Sequence, residues 1–215
     1  MIDVRLKAVA VVAVVATIAA VLAGSVSAAG VPKGCVAAPK PTLGTRSAPK
    51  PKRLLSNAHK YYVTMKTNCG SFTFRVDRKD SPHVAASFVD LVRRKYFDGT
   101  VFHRIVPGFV IQGGDPTGTG TSGPGYSTVD TPPRSTRYVP GIVAMAKTQT
   151  EAPGTSGSQF FVVTGPDAAS LTPDYAPIGI VVKGLDVVLR IGKLGDANQQ
   201  PTFLVEIERA TVTVT

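Results

Sequence analysis

The sequence predicts a mainly β domain of the barrel or sandwich type, preceded by a segment with no core of its own. Three observations carry this. Short runs rich in Val, Ile, Phe and Thr recur through residues 61–215, separated by Gly and Pro turns. Within that span two stretches show helical spacing of apolar residues. Before residue 61 the chain holds an uncharged stretch from Ala8 to Ala29, then a segment crowded with Pro, Lys, Ala and Ser, a composition that does not bury a core. Periodicity alone does not choose between barrel and sandwich.

Tyr61 to Thr67 and Ser71 to Val76 predict a hairpin around Asn68-Cys69-Gly70. Ser81 stands where it would cap a helix that has Pro82 at its first position. Val84, Phe88, Leu91 and Val92 fall on one stripe of that helix, which would cover one end of a barrel. Strands are expected at Val101 to Ile105, Phe109 to Gly113, Ile142 to Ala144, Gln159 to Thr164 and Ile178 to Val182. Pro107-Gly108 is the turn between the first two. Gly184 to Ile191 reads as a second short helix, and Phe203 to Val214 as a closing strand.

Charge is unevenly spread. The chain of 215 residues has 24 Lys and Arg against 14 Asp and Glu, net +10. Residues 1–60 hold nine of the basic residues against Asp3 alone, a net +8, which leaves +2 for the remainder. A nucleic-acid binder would need a basic face on its folded part, so no nucleic-acid partner is expected. Ala8 to Ala29 carries no charge and follows Arg5 and Lys7, with small residues at Val26-Ser27-Ala28. That is the pattern of an export signal; the alternative is an uncleaved anchor, since residues 8–29 are long enough to span a bilayer. The protein is therefore expected to be exported, either secreted or membrane-anchored and facing outward. Residues 30–60 read as a basic Pro-rich linker, a solvated spacer by composition. Cys35 lies in it and Cys69 in the first hairpin. An oxidising exterior would allow them to pair, with free thiols and lipidation of Cys35 as the competing readings. The expected division is residues 1–29, 30–60 and 61–215.

The run Phe102-His103-Arg104-Ile105-Val106-Pro107-Gly108-Phe109-Val110-Ile111-Gln112-Gly113-Gly114-Asp115 is the most informative stretch. Side chains alternate across a strand, so Arg104 and Gln112 can each share a face with chosen apolar neighbours. A guanidinium beside an amide and aromatic rings suits a peptide carbonyl next to an apolar ring. Two further segments follow: Val143-Ala144-Met145-Ala146 with Gly157-Ser158-Gln159-Phe160-Phe161-Val162-Val163, and Ser170-Leu171 with Tyr175 to Gly179. In order and spacing these motifs resemble the cyclophilin-type peptidyl-prolyl cis-trans isomerases, in a bacterial exported form, over about Tyr61 to Thr215.

The resemblance implies a closed eight-stranded antiparallel β-barrel with a helix capping each end. It implies Arg104 and Gln112 as catalytic residues, and Phe109, Val110, Phe161 and Leu171 around a proline ring. Met145, Ala146, Lys147 and Tyr175 would complete the substrate site. Proline-containing polypeptides are the expected partners, no cofactor or metal is expected, and the protein is expected to be a monomer. Some positions depart from the family pattern. Val110 stands where methionine is usual, Tyr175 where His is common, Ser170 where many members have Trp, and Lys147 where Asn is usual. The loop from Lys147 to Ser156 is also somewhat long. These changes bear on peptide preference and cyclosporin sensitivity more than on the reaction.

Other chemistries find little support. Gly118-Thr119-Gly120-Thr121-Ser122-Gly123 spells a dinucleotide-binding pattern, but Pro124, Gly125, Pro132 and Pro133 forbid the helix that must follow it. His59, His83 and His103 have no Cys or carboxylate at metal-ligand spacing. No G-x-S-x-G occurs, so hydrolysis is not indicated. A non-catalytic scaffold or holdase for Pro-containing segments, and a basic surface adhesin working through its tail, are the readings that compete with the enzyme.

Overall fold

The structure is a computed structural model that describes residues 30–39 and 41–215. The predicted export segment lies outside the described residues. The elements run β1 (Tyr61–Thr67), β2 (Gly70–Val76), α1 (Pro82–Arg93), β3 (Thr100–Val101), β4 (Arg104–Val106) and β5 (Val110–Gly113). Then come β6 (Thr128–Val129), β7 (Ile142–Met145), β8 (Thr155–Ser156), β9 (Phe160–Val163), β10 (Pro177–Lys183), α2 (Leu185–Ile191) and β11 (Glu206–Val214).

Nine strands form one antiparallel sheet in the order β3-β11-β1-β2-β10-β7-β9-β5-β4, while β6 and β8 pair as a separate ribbon. The two edge strands, β3 and β4, are successive stretches of chain divided by Phe102 and His103. The sheet therefore curls until its edges meet through covalent chain rather than through ladder hydrogen bonds. Counted as one interrupted strand, β3 and β4 reduce nine strands to the expected eight. The single strand expected over Val101 to Ile105 breaks because Phe102 donates its N–H to Val205 and Ile105 donates to Gln199. Each half is thus tied to a different part of the C-terminal chain.

Alternation along the strands sorts the side chains. Ile105, Ile111, Val162 and Val143 stand opposite one another across β4, β5, β9 and β7, and all are fully buried. With Phe74, Phe88, Phe97, Phe102 and Phe160 they belong to the inner core. Phe88 stacks on Phe97 at 4.8 Å and meets Phe160 edge-on at 5.4 Å. Helix α1 supplies Phe88, and its stripe of Val84, Leu91 and Val92 closes one end of the curled sheet.

Ser81 does sit at the N-cap of α1, but its hydroxyl makes no capping bond and is buried without a partner among the described residues. The capping role is taken by Asp130, whose carboxylate accepts from Val84 N–H at 2.8 Å and lies 2.7 Å from His83 Nδ1. A carboxylate at a helix N-terminus also suits the helix dipole.

Residues 31–39 and 41–60 differ from the expected solvated spacer. They lie along the domain as a strap. Val36 donates to the Asn68 carbonyl, Thr42 to Gly99, Gly44 to Pro116 and Ala48 to Pro124. The Arg46 guanidinium donates to the Asp98 carbonyl at 2.8 Å and also to those of Tyr96 and Thr42. Cys35, Ala48 and Leu55 pack against the inner core, and Cys35 is disulfide-bonded to Cys69. Composition misled here because much of the strap's attachment is through backbone groups, which are the same in every sequence, and the rest is through a few scattered side chains.

Candidate functional site

The outer face of the same strands carries the site. Arg104 pairs directly with Gln112 across β4 and β5, Gln112 with Phe161 across β5 and β9, and Phe161 with Ala144 across β9 and β7. Arg104, Gln112 and Phe161 therefore form one row. The neighbouring row on that face holds Val106, Val110 and Val163. Gly113-Gly114 ends β5 because the chain must pass tightly under β9. Gly114 has φ +87°, and a Cβ there would stand 2.4 Å from the Ser158 carbonyl oxygen.

A cavity of about 230 Å³ opens on this face, lined by Arg104, Phe109, Val110, Gln112, Ala146, Lys147, Gln149, Phe161, Leu171 and Tyr175. All the expected site residues are there except Met145. That side chain is fully buried in the inner core, because its position on β7 pairs with Phe160 rather than Phe161. Ala146 lines the cavity but gives its N–H to the Gln159 carbonyl, so it does not offer that donor to a peptide. The Lys147 ammonium lies 5.7 Å from the Tyr175 ring centre and donates to the carbonyls of Thr148 and Glu151. His103 is half-buried, its Nδ1 without a partner among the described residues. Burial lowers its pKa.

Sequence reading missed several supports. Gln149 lines the cavity from the long loop. Tyr138 stands behind it, its hydroxyl donating to the Tyr175 carbonyl at 2.7 Å and accepting from Tyr175 N–H at 3.0 Å. Burial pushes the Tyr138 pKa up to about 12. The rings of Tyr138, Phe161 and Tyr175 meet at centre distances of 5.5–6.2 Å. No local pattern around Tyr138 marks it, since its partners are 23 and 37 residues away.

A chain of amides holds the guanidinium. Arg104 Nη1 donates to Gln112 Oε1 at 3.1 Å, and Gln112 Nε2 donates to Gln159 Oε1 at 3.1 Å. Gln159 Nε2 in turn donates to the carbonyls of Gly120 and Ser122. Arg104 Nε donates to Gln199 Oε1 at 2.7 Å. Burial lowers the Arg104 pKa, yet an arginine stays cationic. The ring of Phe109 lies 5.9 Å from the guanidinium carbon.

The Gly-rich loop after β5 also has a clear role. Asp115 is fully buried and accepts from Thr117, Thr121 and Ser122. Amides that a phosphate would need are thus already turned onto the protein's own carboxylate. Burial would raise the Asp115 pKa, but these donors outweigh it and hold the group below the usual carboxylate value.

Among the described residues the cavity wall contains a guanidinium, an ammonium, two amides and apolar or aromatic groups, with no Ser, Cys, His or carboxylate. Such a wall offers hydrogen-bond donors beside apolar surface, a lining suited to a peptide with an apolar ring. The family model for cyclophilin type peptidyl-prolyl cis-trans isomerases matches residues 62–212, and the chain belongs to that family. It is 38% identical to a peptidyl-prolyl cis-trans isomerase of Arabidopsis thaliana over 155 residues, covering 70% of this chain and 92% of the relative. With isomerase A of Mycobacterium tuberculosis it shares 36% identity over 169 residues, covering 70% and 91%. With isomerase B of Streptomyces anulatus it shares 40% over 127 residues, covering 52% and 71%. The crystal structure of a Cryptosporidium parvum cyclophilin in the presence of the dipeptide Ala-Pro matches with TM-score 0.65 at 29% identity, covering 71% of this chain and 98% of that one. The protein is a peptidyl-prolyl cis-trans isomerase by family, and plant, fungal and bacterial relatives alike carry that name.

Proposed function

We propose that this isomerase works outside the cytoplasm as a monomer and assists folding of exported proteins, with Arg104 and Gln112 as its catalytic pair. The observation that carries the site is the Arg104–Gln112 pair standing in one row with Phe161 at an apolar cavity. The uncharged stretch from Ala8 to Ala29 supports export, with or without retention as an anchor. The Cys35–Cys69 disulfide supports an oxidising compartment.

An X–Pro bond resists rotation because its nitrogen shares a lone pair with the carbonyl, a barrier of about 18–20 kcal/mol. Uncatalysed exchange takes on the order of 10–100 s. Bringing it to milliseconds requires about 10⁴–10⁵-fold, roughly 5.5–7 kcal/mol. In the twisted transition state the nitrogen regains its lone pair, and Arg104 donates to it or to the proline carbonyl. One charged hydrogen bond contributes about 1.5–3 kcal/mol, so the remainder comes from gripping the ring while the preceding carbonyl swings. Phe109, Val110, Phe161 and Leu171 form that grip, and Gln112 orients Arg104. Only contacts stronger in the twisted form speed the step.

A coupled isomerisation assay on a short X-Pro peptide, with Arg104→Ala alongside, tests the site. A binding-only scaffold would bind the peptide without accelerating exchange, and would show no loss in the variant. Fractionation of cells expressing the full chain tests location: recovery in the cytosol would exclude export, and recovery in the membrane or the medium would separate an anchor from a cleaved signal.

A further inference from the structure

We infer that Gln199 is a positioning residue for the isomerase reaction, fixing the plane of the Arg104 guanidinium through Nε. The inference rests on the role proposed above for Arg104. A guanidinium presents its donors in one rigid plane. Gln112 Oε1 on Nη1 fixes one point of that plane and leaves it free to swing about the bond. Gln199 Oε1, 2.7 Å from Nε, supplies the second point and removes the swing. Nη2 is then the guanidinium nitrogen engaged by neither glutamine.

The turn that presents Gln199 is built for this placement. A bridge between Gly195 and Pro201 closes it. Asp196 accepts the N–H groups of Asn198 and Gln200 on its carboxylate and that of Gln199 on its carbonyl. Gln199 itself has φ +66°, a left-handed conformation that a non-glycine residue adopts at a cost. That cost is met by two bonds onto β4. The Gln199 carbonyl accepts from Ile105 N–H, and its side chain accepts from Arg104. On the far side of Arg104 and Gln112 lies a second hollow of about 440 Å³, bordered by His103, Thr119, Asn198 and Gln199. Without the Gln199 side chain, water in that hollow would reach Nε, and the donor would lose its fixed aim. Preorganised donors act because they need no reorientation as charge develops.

Gln199→Gly in the full chain tests this, since glycine accepts the positive φ and keeps the carbonyl bond to Ile105. Gln199→Asn is the second variant, tolerant of the same backbone but one methylene too short to reach. Both are expected to lower kcat/KM for an X-Pro peptide by about threefold to tenfold, below the loss typical of removing a donor itself. The loss should fall on kcat, with KM held within about twofold because the ring pocket is intact. The ¹⁵N-coupled Nε–H signal of Arg104, identified by its disappearance in Arg104→Lys, should shift and exchange faster with solvent. In an Arg104→Ala background, Gln199→Gly should add no further loss. Unchanged turnover with an unchanged Nε–H signal in both variants would overturn the inference. So would an equal loss in the Arg104→Ala background, which would make Gln199 a fold residue only. Wild-type turnover in Arg104→Ala alone would overturn it by a different route, through the role of Arg104, while the Nε–H signal would still report whether Gln199 holds that side chain.

Discussion

Phe160 and Phe161 are neighbours on one strand and have opposite careers. Phe160 points inward, fully buried among Phe88, Phe97 and Phe102. Phe161 points outward to Tyr138 and Tyr175 and lines the outer cavity. The inner face is closed and self-sufficient. The outer face is an apolar cluster left open on one side, held in shape by polar supports: the Tyr138 hydroxyl, the amide chain from Gln112 to Ser122, and the Asp115 loop. A curled sheet whose strands are apolar on both faces can thus spend one face on stability and the other on recognition.

The largest expected effect is on the inner face. Phe160→Ala should cost about 3–5 kcal/mol of stability, as is common for truncating a buried phenylalanine. Phe161→Ala should cost less stability but weaken both peptide affinity and turnover. Urea unfolding and peptide titration of the two variants provide the comparison. Equal stability loss with peptide binding intact in Phe161→Ala would show that the outer cluster is only a second core.

Reduction of the disulfide comes next. It closes a loop with a sequence separation of 34 residues, which the chain-entropy model values at roughly 3–4 kcal/mol. Melting with and without reductant measures it. The strap also bonds to Pro116 and Pro124 in the loop that holds Gln159, so reduction should loosen the outer site before the inner core. Hydrogen exchange that rises first at the inner strands would contradict that order.

Arg104→Ala should lower kcat/KM at least about tenfold, equivalent to about 1.4 kcal/mol on the barrier, without shifting the melting curve. Full activity in the variant would remove Arg104 from the mechanism.

The smallest effect is acid sensitivity through Asp115. Its folded pKa is depressed, so its contribution is fully present above the unfolded value and is lost as pH falls through the folded one. Asp115→Asn should therefore be less stable than the parent at neutral pH, with the gap narrowing only below the ordinary carboxylate range. A gap that stays constant into acid would mean that the carboxylate's charge has no part in holding the loop.

By itself the sequence determined the β-rich class, most of the strands, both helices and nearly all of the cavity lining. The class, strands and helices follow from alternation and helical spacing, where local geometry dictates which face a side chain takes. The cavity residues came only through the resemblance of the three motifs to the cyclophilin family, since spacing alone would have made Phe109, Phe161 and Leu171 core. Tertiary structure decided what depends on distant partners. Met145 went to the core because β7 pairs with β9 in a register that sets it beside Phe160. Asp130 rather than Ser81 caps α1, and Tyr138, Gln159 and Gln199 reach the site from loops and strand ends far along the chain. The strap's order was equally hidden, because backbone hydrogen bonds leave no trace in composition. Each of these contacts joins residues that no periodic pattern relates, and only the curled sheet brings them within reach.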